Sequence, residues 1–243
     1  MTPRQLGESG EFCWMDLKTH DPSGTAAFFS AVLGWDFAVD GNDWREAVKV
    51  SAGGHRIGGV SDLTGPLYPA GLPAHIAFYL AVEDVDAAMD RALGAGARLV
   101  LAPFDAGDQG RIATLIDPVG AVFSLWRTDE TNRWSPAAGV PEDMILACTD
   151  PGQARDFYAA MLGTAPDRTR FVSAHGPEAS APRWELAVVA DDLDVVAALA
   201  LDHGREARGE RDHDGRPSLR LSSPEGLTFH VRPRAPGPVT GDA

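Results

Sequence analysis

The chain has 243 residues, 35 acidic against 21 basic, a formal net charge of -14, two cysteines and 44% hydrophobic residues. At this length roughly 70 to 75% of the unfolded surface should be buried, enough for a core without disulfides or a structural metal. The charge disfavours nucleic acid and anionic membrane as partners. No run of about 18 apolar residues reads as a membrane span, and residues 1–11 carry no apolar leader core, so a cytoplasmic location is expected.

In chain order, Cys13 to Thr19 alternates, with Cys13, Met15, Leu17 and Thr19 on one face and Trp14, Asp16, Lys18 and His20 on the other, which predicts a half-buried strand. Asp21-Pro22-Ser23 supplies a helix N-cap with proline in the first turn, and Gly34 ends the helix. The unit returns as Ile76 to Val82 with Asp84 to Leu93, then Met144 to Cys148 with Gln153 to Leu162, then Trp184 to Ala190 with Leu193 to Leu201. Gly53-Gly54 and Gly58-Gly59 lack the strand-to-helix context of a phosphate loop, and Asp212-His213-Asp214-Gly215 reads as a hairpin turn. Cys13 and Cys148 show no CxxC or zinc-ligand spacing, so buried thiols are expected.

These units form a repeat at a second level. Asp21-Pro22, Phe28-Phe29, Leu33 and Gly34 recur 129 residues on, as Asp150-Pro151, Phe157-Tyr158, Leu162 and Gly163. The segment opening at His75 recurs from Arg183, an offset of 108, and Asp117-Pro118-x-Gly120-x-x-Phe123 returns as Ser223-Pro224-x-Gly226-x-x-Phe229, an offset of 106. Two homologous halves are implied, and the drop from 129 to 108 places a loss of 21 residues between Gly163 and Arg183. The second half should therefore lack strands that the first half forms between Trp35 and Pro73.

Helices reading AAFFSAVLGW and ARDFYAAMLG, with segments closing on DPxGxxF or its SPxGxxF copy, resemble the vicinal oxygen chelate superfamily. That superfamily includes glyoxalase I, bleomycin and fosfomycin resistance proteins and extradiol dioxygenases. The resemblance implies an α+β fold of four βαβββ modules paired into two cup-shaped domains, with the first module of the second half shortened. The expected division is a leading segment 1–11, a first domain 12–127, a linker 128–140, a degenerate second domain 141–233 and a disordered tail 234–243.

Many catalytic members hold a divalent metal on three cup-facing side chains. The resemblance puts those positions at Trp14, Ala77 and Ser124 in the first half, which offer no good ligand set, and at Asp143, Glu185 and His230 in the second, which could. Arg183, on the same face as Glu185, could instead tie up the carboxylates as an ion pair. The first cup should be lined by Trp14, Asp16, His75, Tyr79, Ser124 and Trp126, joined by Trp44, an inventory suited to a planar organic molecule. Trp35, after the helix-ending glycine, is expected in the core.

Three functions stay open on these residues. The first is a binding protein that holds a small aromatic or hydrophobic molecule in the N-terminal cup without metal, for sequestration or resistance. The second is a metal-independent isomerase, cyclase or lyase with His75 or Asp16 as acid/base. The third is a metal-dependent lyase or dioxygenase using Asp143, Glu185 and His230. A small-molecule ligand is expected as partner, and the chain could be a monomer or a homodimer.

Overall fold

A computed structural model describes residues 3–41, 47–127, 133–174, 182–212 and 215–234. The first half runs β1 (Phe12–Thr19), α1 (Pro22–Leu33), β2 (Asp36–Val39), β3 (Val48–Ala52), β4 (His55–Asp62), β5 (His75–Ala81), α2 (Val85–Gly94), β6 (Arg98–Asp105), β7 (Arg111–Ile116) and β8 (Val122–Arg127). The second runs β9 (Pro141–Cys148), α3 (Pro151–Leu162), β10 (Thr169–Ser173), β11 (Arg183–Ala190), α4 (Leu193–Asp202), β12 (Arg208–Arg211), β13 (Pro217–Ser222) and β14 (Thr228–Pro233).

Each helix starts the same way. Asp21, Asp84, Asp150 and Asp192 accept hydrogen bonds from the amides of Gly24, Ala87, Gln153 and Val195 at 2.9, 3.0, 2.9 and 3.2 Å, satisfying donors that a first turn leaves free. Gly34 and Gly163 close α1 and α3 in the left-handed region, at φ 68° and 84°.

The strands form an eight-stranded sheet, β2-β3-β4-β1-β5-β8-β7-β6, and a six-stranded sheet, β10-β9-β11-β14-β13-β12. β4 pairs in parallel with β1, and β10 pairs in parallel with β9, so β10 takes the place of β4. Among the described residues β2 and β3 have no counterpart in the second half, in agreement with the deletion read from the repeat. The registers superpose under the repeat offsets. Trp14 opposite Tyr79 becomes Asp143 opposite Ala187, and Tyr79 beside Ser124 becomes Ala187 beside His230.

Even the irregularity is duplicated. A register shift pairs Phe12 with Leu80, and the matching shift pairs Pro141 with Val188. Cys13, Met15, Leu17 and Thr19 are buried, as the alternation along β1 predicts, and at the bulge Phe12 joins the core cluster as well, with the Cys13 thiol 3.6 Å from the Tyr79 carbonyl. Gly53-Gly54, at φ 55° and 82°, makes the tight turn between β3 and β4. Asp212 and Gly215 close the β12–β13 hairpin, and the intervening His213 and Asp214 lie outside the described residues.

All four helices lie between the two sheets and form one layer that both halves share. Phe29 of α1 stacks on Trp35 at 4.9 Å and packs against Phe229 of β14 at 5.3 Å, while Phe123 of β8 meets Tyr158 of α3 at 5.4 Å. Trp35 is a core residue, as expected, and its indole donates to the Gly139 carbonyl at 2.7 Å. Polar groups in this seam are paired in series. The Trp184 indole donates to the Tyr158 hydroxyl at 3.1 Å, and that hydroxyl donates to Asp117 at 3.0 Å. The other Asp117 oxygen accepts from the amides of Val119, Gly120 and Ala121. Glu225 of the second half accepts from the Thr19 hydroxyl and from the amides of His20 and Asp21, which fastens the end of β1. With the helices occupied in this way, each sheet turns its other face outward.

Candidate ligand-binding site

The outward face of the first sheet holds a cavity of about 350 Å³. Strand alternation puts Trp14 of β1, Tyr79 of β5 and Trp126 of β8 on its wall, with Ile112 of β7 beside them. Trp126 meets Trp14 edge-on at 5.6 Å and Tyr79 at 6.0 Å, and its indole donates to the Gln109 carbonyl at 2.6 Å, which fixes the ring plane. Lys49 of β3 places its ammonium 5.6 Å from the Trp14 ring centroid. Gly59 lies opposite Asp16 across the β1–β4 pair, where a Cβ would stand 3.5 Å from the Trp14 ring; the glycine keeps that side of the cavity open.

One end is polar. Asp16, 9% exposed, accepts from the Lys18 ammonium at 2.7 Å and the Ser61 hydroxyl at 2.6 Å. Lys18 also donates to the Tyr68 hydroxyl at 3.2 Å. Burial opposes the Lys18 charge, and the Asp16 carboxylate more than offsets it, so the ammonium is held well above its ordinary range. Burial, and then the nearby Asp16 charge, push the Tyr79 phenol up, so it remains a neutral hydroxyl able to donate. The cavity is thus an aromatic slot with a hydrogen-bonding end.

Of the residues expected to line this cup, Trp14, Asp16, Tyr79 and Trp126 do so together. Ser124 shares a row with Tyr79 but is 5% exposed and exchanges its hydrogen bond with Thr114 at 2.9 Å, so it lies beneath the wall. His75 sits at the far end of β5, opposite Lys18, with its Nδ1 2.8 Å from the Pro73 carbonyl, and does not line the cavity. Trp44 lies outside the described residues. Sequence reasoning did not include Ser61, Tyr68, Gln109, Ile112 or Lys49. Ser61 was findable, because a β4 parallel to β1 places it beside Lys18; Tyr68 and Gln109 sit in connections with no periodic signal.

The second sheet presents different chemistry at the corresponding positions. Glu185, 5% exposed, is met by Arg183 at 2.6 Å, Arg220 at 2.8 Å and His230 at 2.7 Å. Asp143 is met by Arg170 at 3.1 Å and Arg232 at 2.6 Å. Burial alone would raise the Glu185 carboxyl, but hydrogen bonds from His230 and Arg220 hold it well below the usual carboxylate range.

The repeat, the register and this outward cavity together define a known architecture. Residues 14–126 match the profile of a glyoxalase-like domain. The chain has the vicinal oxygen chelate fold, and its residues 14–126 are similar to a glyoxalase-like domain. The fold is shared with the Mn(II)-bound glyoxalase of Novosphingobium aromaticivorans at TM-score 0.59 and 16% identity, covering 94% of this chain and 82% of that one. Along the sequence, the chain is 29% identical to CFP32 of Mycobacterium tuberculosis, provisionally called a glyoxylase, over 97% of this chain and 99% of the relative. It is 28% identical to the anthracycline biosynthesis protein DnrV of Streptomyces peucetius, over 91% and 92%.

The fold's metal positions do not fit a divalent cation in either half. Trp14, Ala77 and Ser124 supply neither imidazole nor carboxylate, and the oxygens of Asp143 and Glu185 are taken by four guanidiniums that a cation would have to face. Among the described residues no three His, Cys, Asp or Glu side chains converge, and no helix is long and apolar enough to cross a membrane.

Proposed function

We infer that the chain binds a planar, polycyclic aromatic small molecule in the first cup and does so without a metal. The observation that carries this reading is the meeting of Trp14, Tyr79 and Trp126 around one cavity whose far end is the Asp16–Lys18–Ser61 cluster. Flat rings gain dispersion and quadrupole contacts from such walls, and a carbonyl or phenol at one end finds hydrogen-bonding groups. The 28% identity to a protein named for anthracycline biosynthesis supports an aromatic polyketide as the class. A cytoplasmic monomer, with its two halves packed on each other, sequesters or hands on such a compound.

Titration with an anthracyclinone, followed by quenching of tryptophan fluorescence, tests the reading. Saturable quenching at micromolar ligand is expected, with affinity falling about tenfold or more in Trp14→Ala. No quenching by any aromatic polyketide would overturn it.

A second reading is favoured by the position of Asp16 itself. A carboxylate held between an ammonium and a hydroxyl inside the cavity is placed to move a proton on a bound substrate, as in a metal-free isomerisation, cyclisation or elimination. Turnover that survives chelation and is lost in Asp16→Asn supports it; turnover unchanged in Asp16→Asn removes it. The metal-dependent reading through Asp143, Glu185 and His230 is disfavoured by their arginine partners, and elemental analysis of chelator-free protein decides it.

A further inference from the structure

The outward face of the second sheet gathers Arg170, Arg183, Arg220 and Arg232 in a chain whose formal charge is -14. Asp143 and Glu185 are shared among them, and the Asp212 carboxylate stands by Arg232. Two hollows open on this face, one of about 250 Å³ and one of about 160 Å³, and Arg170 and Arg232 line both. The larger is also lined by Arg211, His230 and Ser218 and by the carboxylates of Glu210 and Asp212; the smaller adds Arg168 and Arg216, with Glu142, Asp143 and Asp212.

Arg232 supplies the decisive detail. It is 8% exposed, its Nη1 donates to Asp143 at 2.6 Å, and its buried Nε makes no hydrogen bond among the described residues. The Asp212 carboxylate stands 3.7 Å from that Nε, beyond hydrogen-bonding distance. A buried guanidinium nitrogen without an acceptor is costly unless some oxygen completes it. Guanidinium forks match the paired oxygens of carboxylate and phosphate better than any other side chain does.

We propose that the second cup is a binding site for a small oxyanion, the carboxylate or phosphate group of a compact metabolite, held between Arg170 and Arg232. The site is independent of the aromatic slot and lies on the opposite side of the helical layer. Among the described residues no strands like β2 and β3 flank this hollow, whose size suits a compact anion and not a ring system.

Calorimetric titration of the full chain with inorganic phosphate and, separately, with malonate, at constant ionic strength maintained with chloride, tests this. One-site saturable binding at submillimolar concentration is expected for at least one probe, and the stronger probe assigns the anion class. Arg170→Gln should weaken it about tenfold or more, Arg170→Lys should retain part of it, and Trp14→Ala should leave it unchanged. Arg170 is 27% exposed at its side chain, so its replacement disturbs folding less than that of Arg232, and the melting temperature of each variant shows whether it is folded. Heat that never saturates up to about 10 mM of either probe, or binding untouched in a folded Arg170→Gln, overturns the proposal. Its failure leaves the aromatic reading standing, because the two are read by different ligands and different variants.

Discussion

The two outward faces are built on one scaffold and share almost none of their chemistry. Trp14 corresponds to Asp143, Ala77 to Glu185, and Ser124 to His230, yet the strand pairings and even the bulge in the opening strand coincide. What is common to both halves lies on the side facing the helices, where Phe29, Phe123, Tyr158 and Phe229 interlock. What differs lies on the side where alternate residues point away from that core. A substitution there changes the ligand without disturbing the sheet, because period-two alternation separates the two faces residue by residue.

The contrast is broken most severely at Glu185. Replacing it with alanine strands Arg183, Arg220 and His230 beside one another, and about 3 kcal/mol of stability should be lost, measured by urea unfolding. The corresponding polar lock in the first cup is the single Asp16–Lys18 pair at 2.7 Å, one basic side chain where Glu185 holds three.

The next largest effect sets Glu185 against a second buried carboxylate. Glu11 lies between the halves, accepting from the amides of Asp167 at 2.6 Å and Arg168 at 3.2 Å, with Arg4 at 3.4 Å. Burial pushes its carboxyl up to about 7, against the lowering effect of those donors. The folded state therefore holds this proton more readily than the unfolded chain. Stability should fall by about 2 to 3 kcal/mol as pH rises from about 4.5 to about 7, and Glu11→Gln should flatten that slope. Glu185 acts in the opposite sense. Its contribution is complete above the ordinary glutamate range and is lost as pH falls below it toward the lowered folded value, and Glu185→Gln should remove that acid-side loss. Unfolding curves collected across pH separate the two.

A smaller effect sharpens the division between core and face. Trp14→Ala should change stability by less than about 1.5 kcal/mol, because the ring is only half-buried, while aromatic ligand binding weakens about tenfold. Leu67, 89% exposed at the cavity mouth, marks the lower limit: Leu67→Ser should leave the melting temperature within error and loosen an apolar ligand no more than a few-fold.

Much of this was readable from the chain because the repeat supplied its own control. Four aspartates in the same position before a helix, two helix-ending glycines and three ordered offsets locate the modules without reference to any contact. Alternation along β1 placed Trp14 and Asp16 on the ligand side. It did not show the bulge between Phe12 and Trp14 that buries Phe12 beside Cys13, since nothing in the residue types announces one. His75 satisfied the same parity rule and still missed the cavity, because parity fixes a face and not a position along it. Arg170, Arg220 and Arg232 were not read as partners of the carboxylates, since strands distant in sequence bring them there; only Arg183, two residues from Glu185, could be foreseen.

The common helical layer has a consequence for how the molecule can be taken apart. The helices of one half pack on those of the other, so a chain severed between the halves should leave Phe28, Phe29, Phe157 and Tyr158 uncovered on two sticky fragments. Neither fragment should fold stably by itself. Each is a template for the other, and co-expression of the separated pieces should restore what neither attains alone.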